Sequence, residues 1–317
     1  MKTTRVNICF SMIVLLALGF AGCGGRATQT NVGQDTKQKS SYTFRLPQIP
    51  PTLQGDAAKE YLRRHIWDGF DFTDTLQLAQ LDERMMIQAF AYYVATISEN
   101  QPKEPMLAIM QHAATSKPML EYFVNLAEKV LHDPNSPARS DEKYIPVLEY
   151  LLASPLLDEY EKMPYESDLH VASQNRVGHQ ANDFVYTTSN GKKGKMSGLK
   201  ADYTIIFISN PGCPMCREIK QQIEQSALLG GMIDNGSLKI LVIYPDEDLV
   251  AWREHLSDYP QKWINAYDDG QKITHSRLYD LRAIPALYLL DEQKRVMAKD
   301  CTNVSYIEKL IADTKGL

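Results

Sequence analysis

The stretch YTIIFISNPGCPMCREIKQQIE (residues 203–224) joins an apolar, β-branched segment to a segment of strong helix formers. Residues 203–209 have the composition of a buried strand, while Ile219 and Ile223 lie four apart, which is helical spacing. The two cysteines of the CPMC motif between these segments therefore stand where a strand turns into a helix.

The CPMC motif, Cys213-Pro214-Met215-Cys216, has the features of a pair that opens and closes as a disulfide. Free backbone N–H groups and the positive end of the helix dipole favour a thiolate at a helix N-terminus. Pro214 suits the first helical turn, where its missing N–H costs nothing. A spacing of three puts both sulfurs on one face, within reach of a disulfide. A bare CxxC is also compatible with half of a zinc site.

A second segment, LRAIPALYLLD (residues 281–291), is a turn, a proline and an apolar strand. With the CxxC it resembles the thioredoxin superfamily, in which this strand begins with a cis-proline that faces the cysteines. It is most similar to the TlpA/ResA-like branch of membrane-tethered thiol-disulfide oxidoreductases, over about residues 170–317. The alternative is an ordinary trans proline at the start of an edge strand. The resemblance implies catalytic roles for Cys213, Cys216 and a cis Pro285, and substrate contacts at Ile284, Pro214 and Met215.

Thiolate chemistry assigns the two cysteines different steps. Cys213 is nearer the helix start and more exposed, so we expect it to attack a substrate disulfide and form a mixed disulfide. Cys216, one turn further in and more buried, would resolve that intermediate. Run backwards, the same residues oxidise a substrate. The two thiols require no cofactor.

Two positions depart from the thioredoxin pattern. Thioredoxins carry a buried carboxylate six residues before the first cysteine, and here that position is Phe207. Proton transfer at Cys216 would then use water or another residue, or be slow. Cys301 falls in the loop after the last strand, which in thioredoxins borders the cysteine site. It is a candidate third thiol, a candidate metal ligand, or a partly buried residue without a role.

Two other functions stay open at this point. Cys213 and Cys216 could bind Cu(I), or a harder metal together with Cys301 or His275. Sco-like copper chaperones do this on the same fold, with a wider cysteine spacing. In the other hypothesis, the helical domain of a lipoprotein binds partners and the thioredoxin-like part is a scaffold. The intact cysteines and the intact Ile284-Pro285 pair argue against a mere scaffold.

The N-terminus resembles a bacterial lipoprotein signal over residues 1–22. Basic residues precede an apolar core, residues 8–20, that is too short to span a bilayer. The FAGC sequence that follows resembles a lipobox and implies a lipidated Cys23. A plain signal peptide or an uncleaved anchor is the alternative. Residues 23–41 are polar, without periodicity, and predict a flexible tether.

The whole composition agrees with an envelope location. The five cysteines leave no even set of structural bridges once Cys23 and the signal are set aside, and a lone helix-start pair in an oxidising compartment favours catalysis. A net charge of −5 argues against nucleic-acid binding. We therefore expect a lipid-anchored protein facing the periplasm. Its expected partners are the membrane, thiol- or disulfide-containing envelope proteins, and an upstream membrane electron donor or acceptor.

Residues 42–162 carry helical patterns and no alternation typical of a sheet. YLRRHIWDGFDFTD (residues 61–74) resembles the start of DUF5106, a helical domain of unknown function that precedes TlpA-like modules in lipoproteins of Bacteroidota. We expect one helix from a cap at Thr73 or Asp74 to Val94, and a last helix over 155–162. The predicted fold is thus an all-α domain followed by an α/β thioredoxin-like domain, with a central mixed sheet and helices on both faces.

Overall fold

The structure, a computed structural model, describes residues 44–316. The expectations about the signal peptide, Cys23 and the tether concern residues 1–41 and lie outside this range. None of the described helices is long and apolar enough to cross a membrane.

Six helices form the first part of the described chain. Side-chain caps start several of these helices, for example the capping box formed by Asp158 and Glu161. A 3₁₀ turn covers Leu76–Gln80 and a π turn covers Glu128–His132. The helices are α1 (Gly55–His65), α2 (Glu83–Ala95), α3 (Lys103–Ala113), α4 (Lys117–Ala127), α5 (Asp141–Ala153) and α6 (Glu159–Ala172).

The predicted single helix from residue 73 to Val94 is wrong. The chain is extended at Leu81, and the Asp82 side chain caps α2 by accepting a hydrogen bond from the Met85 N–H at 2.9 Å. A short acceptor side chain can start a helix inside a run whose apolar spacing continues unbroken.

The predicted end of the last helix at residue 162 is also wrong. Helix α6 continues to Ala172, which is buried, and Tyr165 and Leu169 pack against the same core. These three residues keep helical spacing, so burial of one continuous face extends the helix into the region assigned to the next domain.

An aromatic cluster fills the core of the helical part, with Trp67 in its centre. The Trp67 ring lies 5.5 Å from Phe44 and 5.3 Å from Phe123, measured between centroids. His65 Nδ1 lies 2.7 Å from Asp68 Oδ2 at the end of α1. These contacts give Trp67 a packing role in the core and place His65 and Asp68 at the end of α1.

A seven-stranded mixed sheet forms the second part. Its strand order is β2-β1-β5-β4-β3-β6-β7. The central pairs β3–β4 and β4–β5 are parallel, and the remaining neighbours are antiparallel. The strands are β1 (Val185–Thr188), β2 (Lys193–Lys195), β3 (Tyr203–Ile208), β4 (Leu238–Tyr244), β5 (Ile264–Tyr267), β6 (Ala286–Leu290) and β7 (Val296–Ala298).

Every residue of β3 is buried, because both faces of the sheet are covered. Ile205 and Phe207 pack into one apolar cluster, while Ile206 and Ile208 pack into the other. This arrangement confirms the predicted α/β fold with an all-α part before it. The helices are α7 (Pro214–Gln225), α8 (Ala227–Asp234), α9 (Leu249–Glu254), α10 (Lys272–His275) and α11 (Val304–Lys315).

The helix-forming residues after CPMC predict one helix over about 213–229, ending at Gly230-Gly231, but the structure has two helices there. Helix α7 ends at Gln225, and the buried Ser226 starts α8 by accepting a hydrogen bond from the Leu229 N–H at 3.0 Å. Gly230 and Gly231 lie within α8 and do not end a helix. As at Asp82, a capping side chain decides the boundary.

Buried ion pairs join the helical part to the end of the sheet. Lys299, just after β7, places its Nζ atom 2.7 Å from Asp141 Oδ2 and 2.8 Å from the Ala172 carbonyl oxygen. The next residue, Asp300, pairs with Arg139. Burial raises the pKa of the Asp300 carboxyl to about 6, although the Arg139 guanidinium opposes this shift. The folded protein therefore holds a proton on Asp300 at pH values where the unfolded chain has released it.

This carboxyl should make stability depend on pH in a specific direction. An ordinary pKa of 3.8 rises on folding, so folding binds a proton between about pH 4 and 6, and stability falls as pH rises through that interval. Relative to Asp300→Asn, the wild-type free energy of unfolding should drop by up to about 3 kcal/mol from pH 4 to pH 7. Urea unfolding of both proteins at several pH values measures this difference.

The comparison with Asp300→Asn also distinguishes the pH dependence caused by Asp300 from that caused by neighbouring titratable groups. Burial and the nearby Arg282 lower the pKa of His132, which acts in the opposite direction, but His132 is present in both proteins. Asp313→Asn, which changes an exposed carboxyl on α11, controls for the altered net charge. A difference between wild type and Asp300→Asn that stays flat from pH 4 to 7 would contradict the prediction.

Candidate active site at the Cys213–Cys216 pair

The two cysteines of CPMC form a disulfide at the start of α7. Their Cα atoms are 5.3 Å apart. Cys213 is the N-cap residue of the helix, and the main-chain N–H of Cys216 points at its sulfur, 3.1 Å away. Pro214 occupies the first turn of the helix, where a backbone N–H would have no acceptor within the helix, so the absence of an N–H on proline costs no hydrogen bond. This N–H and the helix dipole would stabilise negative charge on the Cys213 sulfur once the disulfide is opened.

The two sulfurs differ in their access to solvent. Cys216 is 2% exposed and packs in one apolar cluster with Ile219 and Phe207. Cys213 is partly exposed, and beside it Met215 is 50% exposed. The Cys213 sulfur is therefore the more accessible of the two.

A proline loop faces the pair, as the resemblance to thioredoxins implies. The Ile284–Pro285 peptide bond is cis. The Ile284 carbonyl oxygen lies 3.9 Å from the Cys213 sulfur. Strand β6 begins at Ala286, which pairs with Ile208 at the end of β3. The sheet thus brings Cys213, Cys216, Ile284 and Pro285 together from segments that are far apart in sequence.

The interior beneath the cysteines is apolar. Phe207 is fully buried, and its ring packs edge-on against Tyr259 and Trp263 at centroid distances of 6.2 and 6.5 Å. The Tyr259 hydroxyl is hydrogen-bonded to Ser209, and burial raises the Tyr259 pKa. Position 207 therefore supplies no group that can exchange a proton with Cys216.

Cys301 is a free, partly exposed thiol that borders the same apolar cluster as Cys213 and Ile284. Its main-chain N–H donates to the Leu287 carbonyl oxygen at 2.9 Å. Burial raises the pKa of its thiol, which favours the neutral, less nucleophilic form. Its side chain contacts the backbone of Asn303, with a sulfur–oxygen distance of 3.6 Å.

Residues 44–316 contain no group of three or more His, Cys, Asp or Glu side chains arranged to hold a metal ion. Cys301 and His275 therefore do not complete a three-ligand site with Cys213 and Cys216 in this structure.

Sequence reasoning missed two carboxylates next to the site. Asp280 lies five residues before the cis-proline and Asp300 directly precedes Cys301, and both carboxylates are almost inaccessible to solvent. The only signal for Asp280 was its position close to Arg282 just ahead of the proline. Their common partner, Arg139, is remote in sequence.

Comparison with known proteins agrees with this architecture. A family model described as "Domain of unknown function (DUF5106)" matches residues 22–175. A crystal structure of a thioredoxin-like protein from Bacteroides caccae is 39% identical, with a TM-score of 0.79. The alignment covers 85% of this chain and 98% of the other. That likeness extends over both the helical and the α/β parts.

Curated relatives match a shorter stretch, 35% to 39% of this chain. The thiol-disulfide oxidoreductase ResA of Bacillus thuringiensis is 26% identical over 122 residues, which are 38% of this chain and 68% of ResA. Nucleoredoxin of Bos taurus is 25% identical over 113 residues, and the match spans only 25% of its length. The second part of the chain thus has a thioredoxin fold of the thiol-disulfide oxidoreductase type. The chain belongs to the thioredoxin-like proteins of Bacteroidota, with a DUF5106 domain ahead of its thioredoxin-like part.

Proposed function

We propose that this protein is a thiol-disulfide oxidoreductase whose catalytic pair is Cys213 and Cys216. The observation that carries the proposal is the placement of one accessible and one buried cysteine at a helix N-terminus, opposite a cis-proline loop. Similarity to ResA supports the same reaction class.

In the reducing direction, the Cys213 thiolate attacks one sulfur of a substrate disulfide. A bond forms between Cys213 Sγ and that sulfur, and the other substrate sulfur leaves as a thiolate that takes up a proton. The Cys216 thiolate then attacks Cys213 Sγ and expels the second substrate thiolate. Two electrons pass to the substrate, and the enzyme is left with the Cys213–Cys216 disulfide. An upstream membrane electron donor restores the dithiol, and an acceptor serves the reverse direction.

The substrate segment binds across the exposed end of the site. The Ile284 backbone offers hydrogen bonds to an extended peptide, while Pro285 keeps that backbone close to Cys213. Exposed Pro214 and Met215 supply an adaptable apolar contact, since an unbranched thioether adjusts to different side chains. Such contacts suit a range of envelope proteins.

Proton transfer to and from the Cys216 sulfur takes place without a carboxylate at position 207. The buried Phe207 leaves water, entering beside the partly exposed Cys213, as the route by which Cys216 gains or loses its proton. We expect the resolving step to be slower than in thioredoxins for this reason.

The place of action is the cell envelope. We propose that residues 1–22 are removed, that Cys23 is lipidated, and that the tether to residue 41 holds the protein at a membrane surface facing the periplasm. The basis is the lipobox-like sequence that ends at Cys23.

Removal of the resolving thiol should trap the intermediate. In Cys216→Ala, the mixed disulfide between Cys213 and a substrate has no internal thiol to release it. We expect covalent complexes that disappear on adding dithiothreitol, detected on non-reducing gels of envelope extracts. Cys213→Ala/Cys216→Ala should form none, and Cys301→Ala in the trapping background should leave them intact. Complexes that persist without Cys213 would contradict the assignment of the nucleophile.

The reduction potential of the pair should separate the two reaction directions. The protein is equilibrated in glutathione or dithiothreitol buffers, free thiols are trapped, and the peptide carrying both Cys213 and Cys216 is quantified by mass spectrometry. We expect one two-electron couple between about −270 and −120 mV. A value near the lower limit assigns a reductase, and one near the upper limit an oxidase or isomerase. Failure to form the disulfide, or copurification of a stoichiometric metal, would overturn the redox function.

The lipid anchor has its own test. We expect Cys23→Ser to move the protein from the membrane pellet to the soluble fraction and to abolish incorporation of labelled palmitate. Cys9→Ser, a cysteine change within the signal segment, should alter neither. Membrane attachment that survives Cys23→Ser would indicate an uncleaved anchor in place of lipidation.

A further inference from the structure

Arg139 of the helical part binds two carboxylates on the two segments that border the cysteine pair. We propose that Arg139 is a positioning residue of the active site, which fixes the cis-proline loop and the Cys301 loop for substrate binding. The proposal rests on the proposed oxidoreductase function and gives the helical part a role in it.

The first of these segments runs from Asp280 to the cis-proline. The Asp280 side chain is 2% exposed, and its Oδ2 atom accepts hydrogen bonds from Arg139 at 2.8 Å and from Arg282 at 2.6 Å. Its Oδ1 atom accepts from the Arg282 main-chain N–H at 3.0 Å. The carboxylate is therefore the centre of the turn that leads into Ile284 and Pro285.

The helical part reaches the same turn at a second point. Arg282 lies against the His132 ring, 2.9 Å from Nδ1, and donates to the His132 carbonyl oxygen at 3.3 Å. His132 ends the π turn, seven residues before Arg139. Both contacts come from the chain between α4 and α5, so this short stretch of the helical part holds the turn.

The second segment is Lys299–Cys301. Asp300 is 8% exposed and pairs with Arg139. Lys299 is anchored in the helical part by Asp141 and by the carbonyl oxygens of Ala172 and Gln174, the latter at 2.6 Å. The Cys301 N–H donates to the carbonyl oxygen of Leu287 in β6, the strand that begins just after the cis-proline. The two segments are thus linked to each other as well as to Arg139.

Charge makes Arg139 the critical member of this network. Its side chain is only 15% exposed, and within residues 44–316 it is the one cation paired with Asp300. Asp280 keeps Arg282 when Arg139 is removed, whereas Asp300 is left as a buried carboxylate without a cation. A buried unpaired charge is strongly unfavourable, so Asp300 would take up a proton or its segment would shift toward solvent, and in both cases the link to Arg139 is lost.

A shift of these segments should affect substrate binding more than the cysteines themselves. Helix α7 and strand β3 hold Cys213 and Cys216, and within residues 44–316 neither element makes a hydrogen bond or an ion pair with Arg139. The Ile284 backbone, in contrast, follows directly from the Asp280 turn. A displaced Ile284 backbone would bind a substrate segment less tightly, so kcat/KM should fall mainly because KM rises.

The test uses the full chain in detergent with Arg139→Gln. Hydrogen exchange followed by mass spectrometry should show faster exchange in 280–287 and at 300–303, with α7 and β3 unchanged. Dithiothreitol-driven reduction of insulin, a model protein disulfide, should show kcat/KM lowered about tenfold, mainly through a higher KM. The reduction potential of the cysteine pair should not change.

Arg176→Gln is the matched control. Arg176 makes a two-pronged ion pair with Glu142 on α5, and its side chain makes no hydrogen bond or ion pair with residues 280–287 or 299–303. We expect neither exchange in 280–287 nor KM to change in this variant. If Arg139→Gln does not fold, Arg139→Gln/Asp300→Asn removes the unpaired carboxylate and is measured in the same way.

The outcomes separate this proposal from the proposed function. Unchanged exchange in both segments, or faster exchange with an unchanged KM and kcat, overturns the positioning role while the oxidoreductase stands. A lower stability of Arg139→Gln with normal kinetics at a temperature where it is folded assigns Arg139 a structural role only. An inactive wild-type protein contradicts the proposed function, and the exchange data still decide whether Arg139 fixes the segments.

Discussion

The antiparallel register of β3 against β6 is the constraint on which the candidate active site depends. Ile208, the last residue of β3, pairs with Ala286, the first residue of β6. The chain therefore leaves β3 toward Cys213 at the edge where the cis-proline enters β6. Because both faces of these strands are buried, a slip by one residue would turn apolar side chains to the wrong cluster. The register is fixed by the core, and the meeting of cysteines and proline follows from it.

The same core makes the two cysteines unequal. Phe207 on β3 and Ile219 on α7 surround Cys216 with apolar groups, which disfavour its thiolate. Cys213 keeps the helix N-terminus and contact with solvent. A position that carries a carboxylate in thioredoxins here completes the packing around Tyr259 and Trp263. One position can hold either a packing side chain or a proton-transfer group, and in this chain it holds the packing side chain Phe207.

The sequence was sufficient for those parts of the structure that local patterns control. The strand before CPMC and the start of the helix after it follow from short segments whose composition and spacing are distinctive. The cis bond at Pro285 is what the resemblance to thioredoxins implies. The missed helix boundaries at Asp82 and Ser226 depend on a single capping side chain within an unbroken apolar pattern. Arg139 and Asp280, 141 residues apart, leave no local trace, because either residue alone resembles an ordinary surface charge.

The helical part determines how strongly the charged residues Lys299, Asp300 and Asp280 restrain their loops. On an isolated α/β domain, Lys299, Asp300 and Asp280 would be solvated and would restrain the loops only weakly. Against Asp141 and Arg139 they are buried, so moving either loop means separating charges of low accessibility. Coupling of this kind is reciprocal: if the helical part favours one arrangement of the cis-proline loop, a substrate that binds that arrangement strengthens the contact with the helical part. The two parts of the chain then act as one binding unit, with the charge network as the link between them.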